Sequence, residues 1–200
     1  MIGCARPTLL ISLAFAVAGL SAQSQAVDIV KDGQAVAVIV VQKVPESLAR
    51  SQAKKAQRRK ADGFEYDELA AASVLADWIE KITDVRLETV GQPHKARPAI
   101  YVGTAAIKAG LELNDIDSPT KEGLRIISDG KTKIFIGGQN ETSTMKAVCR
   151  FLGELGCRYF MDNELGEVYP KSKTLTVGRL NITEKPGLML RSIWGSKWSR

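Results

Sequence analysis

The stretch that most constrains this chain is residues 134–170, IFIGGQNETSTMKAVCRFLGELGCRYFMDNELGEVYP. It opens as a strand and turns at Gly137-Gly138. It then sets Ala147, Val148, Phe151, Leu152 and Leu155 on one face of a helix that Gly156 is placed to end. Thr142 or Ser143 is positioned to cap that helix. Residues 157–161 and 167–169 read as further strands. A helix with one apolar stripe, held between strands, has to bury that stripe against a sheet, which predicts the core of an α+β domain.

The rest of the chain extends the pattern. Residues 27–30 and 35–42 flank Lys31-Asp32-Gly33, which predicts an opening β-hairpin. Residues 44–63 are polar, basic and weakly patterned, and are predicted to be the most mobile segment. Over residues 66–82 the apolar side chains Leu69, Ala72, Leu75, Ala76, Ile79 and Ile82 recur at helical spacing, with Trp78 beside the stripe. A short strand near 86–90, a strand at 99–103 and a brief helix at 104–110 follow. Residues 123–128 and 133–137 flank Asp129-Gly130, a hairpin signal, and 174–177 reads as the last strand. The predicted fold is α+β: a mixed or antiparallel sheet with its helices on one face.

The N-terminus bears on compartment. Arg6 precedes an apolar run, residues 9–20, followed by small and polar residues, with Ala22, Ser24 and Ala26 as small residues before a cleavage point. Residues 1–26 therefore read as a secretory signal peptide, and the apolar run is too short to span a bilayer. Cys4 lies ahead of the run, where cleavage would remove it. A secreted or periplasmic location is expected, with no membrane attachment after cleavage. Of the cysteines left, Cys149 falls on a helix and Cys157 just beyond it. A bridge is geometrically possible, and free cysteine packs as a small hydrophobe, so two buried thiols are expected.

Charge is concentrated in one place. Arg50, Lys54, Lys55, Arg58, Arg59 and Lys60 carry six positive charges without an acid among them, and setting them aside leaves 22 cations against 22 acids. No aromatic residues interleave with the run, which argues against nucleic acid and leaves a solvated basic loop or a surface for an anionic polymer. His94 stands in a polar linker with no acid or nucleophile nearby, so neither catalysis nor metal binding is expected of it. Gly137-Gly138 lacks the glycine spacing of a dinucleotide loop and the Gly-Lys-Ser/Thr ending of a phosphate loop. Asp162, Glu164 and Glu167 are near one another in sequence, but nothing around them would raise one pKa as a glycosidase acid requires. No catalytic residue, metal site or cofactor is predicted within the chain.

Taken together, the helix LAAASVLADWIEKIT, the segment IYVG, the hairpin EGLRIISDGKTKIFIGG, the helix ending AVCRFLGELGCRYF, the loop NELGEVYP and the closing TLTV before EKPGLMLRSIW resemble one known arrangement. It is the N-terminal domain that precedes the barrel in family 67 α-glucuronidases, similar in turn to the second domain of family 20 β-hexosaminidases. Ser143-Thr144, Lys146 and Cys149 stand where relatives commonly carry Gly-Thr and aromatic residues.

After the signal peptide at 1–26, the resemblance implies an α+β domain at 27–183 and the start of a following barrel at 184–200. It also implies that the catalytic carboxylates would lie on that barrel. Pro186-x-Leu188-x-x-Arg191 is similar to a hexosaminidase segment whose arginine reaches sugar hydroxyls, so Arg191 is an expected substrate contact. Trp194, like Trp198, could offer a flat face to a pyranose ring. The implied partners are the following barrel in the same chain and a carbohydrate substrate. The function expected is that of a non-catalytic accessory domain of an exported glycoside hydrolase acting in polysaccharide breakdown. The alternative is a stand-alone exported carbohydrate- or polyanion-binding module working through the basic run.

Overall fold

The computed structural model describes residues 25–42, 67–94, 96–161 and 164–188. Most of the expected signal peptide, the basic run, Asp162, Arg191, Trp194 and Trp198 lie outside these residues.

The chain is α+β, with eleven short strands in order among the described residues. Strand β1 (Ala26–Lys31) turns at Asp32-Gly33 into β2 (Gln34–Ala35), pairing Val30 with Ala35 and Lys31 with Gln34. The predicted opening hairpin is therefore present but shorter than its apolar run. After Ala35 the chain bends away, and β3 (Val38–Val40) enters a different sheet. Arg97 braces the bend, its guanidinium donating to the carbonyls of Val36 at 3.0 Å and Ala37 at 3.3 Å. These acceptors would otherwise be left without partners where pairing stops.

Helix α1 (Glu68–Thr83) starts at Asp67, whose carboxylate accepts the Ala70 N–H, and ends at Asp84 in the left-handed conformation. The next elements are β4 (Thr89–Val90), β5 (Ala99–Val102) and a short α2 (Thr104–Lys108). Strands β6 (Leu124–Ser128) and β7 (Lys133–Gly138) form the predicted antiparallel hairpin. They lead to α3 (Glu141–Glu154), with Gly156 just beyond it at φ 89°. The cap of α3 is Asn140, neither Thr142 nor Ser143. The Asn140 side chain accepts the Ser143 N–H at 2.7 Å, and Ser143 Oγ returns the bond by accepting the Asn140 N–H at 2.9 Å.

Beyond α3 come β8 (Arg158–Tyr159), a 3₁₀ turn at Glu164–Gly166, β9 (Glu167–Val168), β10 (Leu175–Gly178) and β11 (Leu180–Glu184). The main sheet runs β11-β6-β7-β5-β3-β4. It is antiparallel on the β11 side and parallel from β7 through β4. A second sheet, β10-β1-β2, is antiparallel.

Alternation along the strands divides the apolar residues into two cores. Ile39, Ile100, Val102, Ile126, Ile134 and Ile136 face α1 and α3, in a cluster that also takes in Val27, Ile29, Leu175 and Val177 of the smaller sheet. Val38, Val40, Ala99 and Tyr101 face the opposite way, against Ala105 and Ala106 of α2 and Leu111, Leu113 and Ile116 after it. The expectation of helices on one face thus holds for the two long helices only. Short α2 covers the other face, because β3 and β5 carry large side chains in both directions and both sides need a lid.

Among the described residues, no helix is long and apolar enough to cross a membrane.

The β6–β7 loop rests on one carboxylate. Asp129 Oδ1 accepts the N–H groups of Lys131 at 2.7 Å, Thr132 at 2.9 Å and Lys133 at 3.0 Å. Burial acts to raise the Asp129 pKa, and these donors outweigh it, so the carboxyl lies below the ordinary aspartate range. A lowered folded-state pKa gives stability that is complete above the ordinary value of about 3.9 and is lost as pH falls through the folded value. Asp129→Asn is expected to cost about 1 kcal/mol in urea unfolding at neutral pH, with the gap from the parent closing below about pH 4. A gap of constant size from neutral to acid pH would show that the loop does not depend on the ionised carboxylate.

Candidate interaction surface

Sequence reading placed its candidate groups mainly in the last third of the chain, and the structure separates them. Glu164 is exposed in the 3₁₀ turn, whereas Glu167 is half-buried and ion-paired with Lys81. They do not form a glycosidase pair: one carboxylate is solvated and the other is neutralised by a lysine. His94 is exposed in its linker. Arg191 and Trp194, the expected substrate contacts, lie outside the described residues.

Gly137 and Gly138 are the last residues of β7, not a turn, and are closed as an anion site. Gly138 donates its N–H to Thr144 Oγ1 at 3.2 Å, and a Cβ on Gly138 would collide with the backbone of Ser143 and Thr144. Glycine is there so that β7 can run directly against the first turn of α3. Among the described residues, no three His, Cys, Asp or Glu side chains gather where they could hold a metal ion.

Cys149 and Cys157, the cysteines among the described residues, are both free, and of the two only Cys157 is buried. Cys149 opens onto a groove of about 600 Å³ between α3 and the end of β11, lined by Leu124, Met145, Lys146, Arg150 and Pro186 among others. The expectation of two buried thiols is corrected on this point. Cys149 follows Val148 on the helix, one step past the inward stripe, so it faces the rim and not the core. The groove walls still crowd its sulfur and hold the thiol above its ordinary pKa, and burial does the same for Cys157 against the opposing charge of Arg158. Neither is an activated nucleophile.

What the fold does assemble is an apolar hairpin. Strands β8 and β9 pair Arg158 with Val168 and Tyr159 with Glu167, and the Phe160 N–H donates to the Gly166 carbonyl at 2.8 Å. Gly166 is needed there because any Cβ would run into the backbone of Met161. On this small ribbon Tyr159 is 56% exposed, Phe160 72%, Met161 52%, Leu165 89% and Val168 49%. Strand alternation puts Phe160 and Val168 on one side of the ribbon and Tyr159 on the other. Together the five side chains leave on the order of 500 Å² of mostly apolar surface in water, spread over both sides of the ribbon.

A two-stranded ribbon is marginal by itself, and this one is clamped at its root. Glu167 pairs with Lys81 of α1. The Lys81 ammonium also lies 5.0 Å from the centre of the Trp78 ring, and Trp78 meets Tyr169 edge to face at 6.0 Å. Lys171 then pairs with Asp84 at 2.7 Å, and Arg158 donates to the Gly153 carbonyl at 2.8 Å. The ribbon is thus fixed to the C-terminal ends of α1 and α3 while its apolar side chains point outward.

Sequence reading took residues 157–161 as an ordinary strand and missed this exposure. The available signal was the run Tyr159-Phe160-Met161, which is apolar at both parities and so cannot be buried on one face.

Comparison with protein-family models gave no match, and a search of curated proteins found no similar sequence.

Lys81→Met is expected to speed hydrogen exchange at the Phe160 amide by about three- to tenfold, while global stability falls by under about 1 kcal/mol, as for a partly exposed ion pair. Unchanged exchange at Phe160 would show that the ribbon is held by other contacts.

Proposed function

We propose that this chain is a non-catalytic N-terminal accessory domain of an exported glycoside hydrolase of the α-glucuronidase-like kind, acting in polysaccharide breakdown beside a barrel domain that carries the catalytic acids. The observation that supports this reading most is the clamped apolar hairpin. Side chains such as Phe160 and Leu165 each gain about 1.5–3 kcal/mol when taken out of water. A ribbon held rigid at its root and apolar on both sides fits the contact face of a domain that works against another. The sequence resemblance supplies the identity of the neighbour, and that part is fold-level analogy. On this reading Arg191 and Trp194 would serve the sugar site of the intact protein, and export would follow from residues 1–26.

The test joins the hairpin to the neighbour. The chain is produced separately from the polypeptide encoded downstream of residue 200, and association is measured by calorimetry. The two parts are expected to bind, and Phe160→Ser with Leu165→Ser is expected to weaken binding at least tenfold without changing the melting temperature, since both side chains are exposed. The chain by itself is expected to release no sugar from an α-glucuronide or a β-hexosaminide. Sugar release by the isolated chain, or a stop codon directly after residue 200, would overturn the proposal.

A further inference from the structure

A sheet edge presents a row of backbone N–H and C=O groups that another strand can pair with, and natural edges are commonly blunted by shortness, lysine, proline or a bulge. The two edges of the main sheet differ in this respect. Strand β4 is two residues long. Strand β11 is five residues, LNITE, paired with β6 in unbroken register; it contains neither lysine nor proline, and its one charged residue, Glu184, is paired with Arg150 of α3. Among the described residues, no strand lies on its outer side.

The chain just after β11 turns the other way. Lys185 donates to the Asp117 carbonyl at 2.8 Å, and Pro186, Gly187 and Leu188 lie beside Pro119 and Thr120. That loop leads into β6, so this part of the chain is on the inner side of β11.

The edge is also self-complementary. An antiparallel pair about a two-fold axis at Ile182 sets Ile182 against Ile182 of the partner subunit. The same axis sets Asn181 against Thr183 of the partner subunit and Leu180 against Glu184 of the partner subunit. Ile182 would gain an apolar contact on the helix side, and Asn181 a hydroxyl partner on the other side. Thr183 Oγ1 already accepts from Arg125 at 2.9 Å and keeps its own hydrogen to donate.

Leu180 and Ile182 lean toward the core that α1 and α3 share, so Leu180 of the partner subunit would project on that same side. There it meets the groove between α3 and the end of β11, against Met145, Cys149 and Pro186 and beside the ion pair of Glu184 with Arg150. Five residues of edge pairing alone fall short of the roughly 800 Å² per partner of a standard stable interface, and closing this groove adds the apolar burial that is missing.

We propose that the β11 edge joins two copies of this chain into a dimer in which the two six-stranded sheets become continuous. The inference does not depend on the accessory-domain reading, since it rests on the strand edge and the groove alone.

The test is sedimentation velocity of the full chain from about 1 to about 100 μM, the range in which a micromolar dimer forms. The expected result is twice the chain mass at the upper end, with Cys149 reacting more slowly with a thiol reagent in the dimer than at high dilution. Asn181→Lys alters only an exposed side chain and is expected to return the mass to that of one chain, with the circular dichroism spectrum unchanged and the melting temperature equal to the parent's at high dilution, where both are single chains. Leu180→Glu, which opposes Glu184 of the partner subunit with a like charge, is expected to weaken association at least tenfold. A parent chain that stays at single mass throughout would overturn the proposal. So would a dimer that persists in both variants, because the contact would then lie elsewhere.

Discussion

Everything in this fold follows from the two-sided burial of the central strand. Every residue of β5, from Ala99 to Val102, is buried, and neighbouring side chains point to opposite faces. A strand of this kind cannot sit at a solvent-facing surface, so the sheet needs a cover on each side. It pairs in parallel with both β3 and β7, and parallel neighbours require crossover connections that carry the chain over the sheet. The crossovers supply α1 and α2 as covers, and α3, which follows β7, completes the first of them. Helix α1 lies between β3 and β4 in the chain and packs with α3 on one face, while α2 and the residues after it close the other. The larger core goes to the side with the long helices because only those carry stripes wide enough to meet several strands at once. The faces of Leu75, Ile79 and Ile82 on α1 and of Val148, Phe151 and Leu152 on α3 are fully or almost fully buried.

Much of this was legible from residues close together in sequence. The stripe of α1, the stripe of α3 ending before Gly156, and the Asp129-Gly130 hairpin all depend on spacings of a few residues, and all three are present. Partner choice was not legible. Residues 35–42 read as one strand, yet they serve two sheets, because the bend after Ala35 is held by Arg97, some sixty residues away in the chain. Strand β11 went unread because Leu180 and Ile182 give only two apolar positions, too few to mark an edge strand until β6 lies beside it. The cap of α3 was placed two or three residues late. Asn, Thr and Ser are all good caps, and only the reciprocal bond between Asn140 and Ser143 decides among them. The interaction surface was the least legible part. Its clasp joins Lys81 to Glu167 across 86 residues, and no local pattern announces that the side chains beyond it face water.

The hairpin and its clasp illustrate a division of labour that recurs in this chain between polar and apolar groups. Its polar contacts, Lys81 with Glu167, Lys171 with Asp84 and Arg158 with the Gly153 carbonyl, gather at the root, the first of them partly buried and the other two at the surface. The apolar residues lie beyond the root and remain about half or more exposed. Ion pairs of this exposure add little to global stability, and their effect is on orientation. A loose apolar loop would lose conformational entropy on meeting a partner, about 0.5–1.5 kcal/mol for each side chain that becomes fixed. A ribbon already held in place loses less. A rigid root under an apolar surface therefore suits a contact that must form at one angle.

The same economy explains how the ends of the domain are secured. Strand β1 near the N-terminal side pairs with β10 near the C-terminal side, and the turn after β1 is tied down by Asp32 and Gly33 through Thr174 and Lys173, about 140 residues later. One residue, Arg179, separates β10 from β11, so the chain passes directly from the small sheet to the edge of the large one. The two sheets share a core and are stitched together by this crossing. Contacts so distant in sequence form slowly, since the loop must close before the pairing stabilises it. Val27 meets Val177 only when β10 pairs with β1, and Ile126, already beside Ile136 of β7, meets Ile182 only when β11 joins the sheet, so both edges depend on the same late stretch of chain.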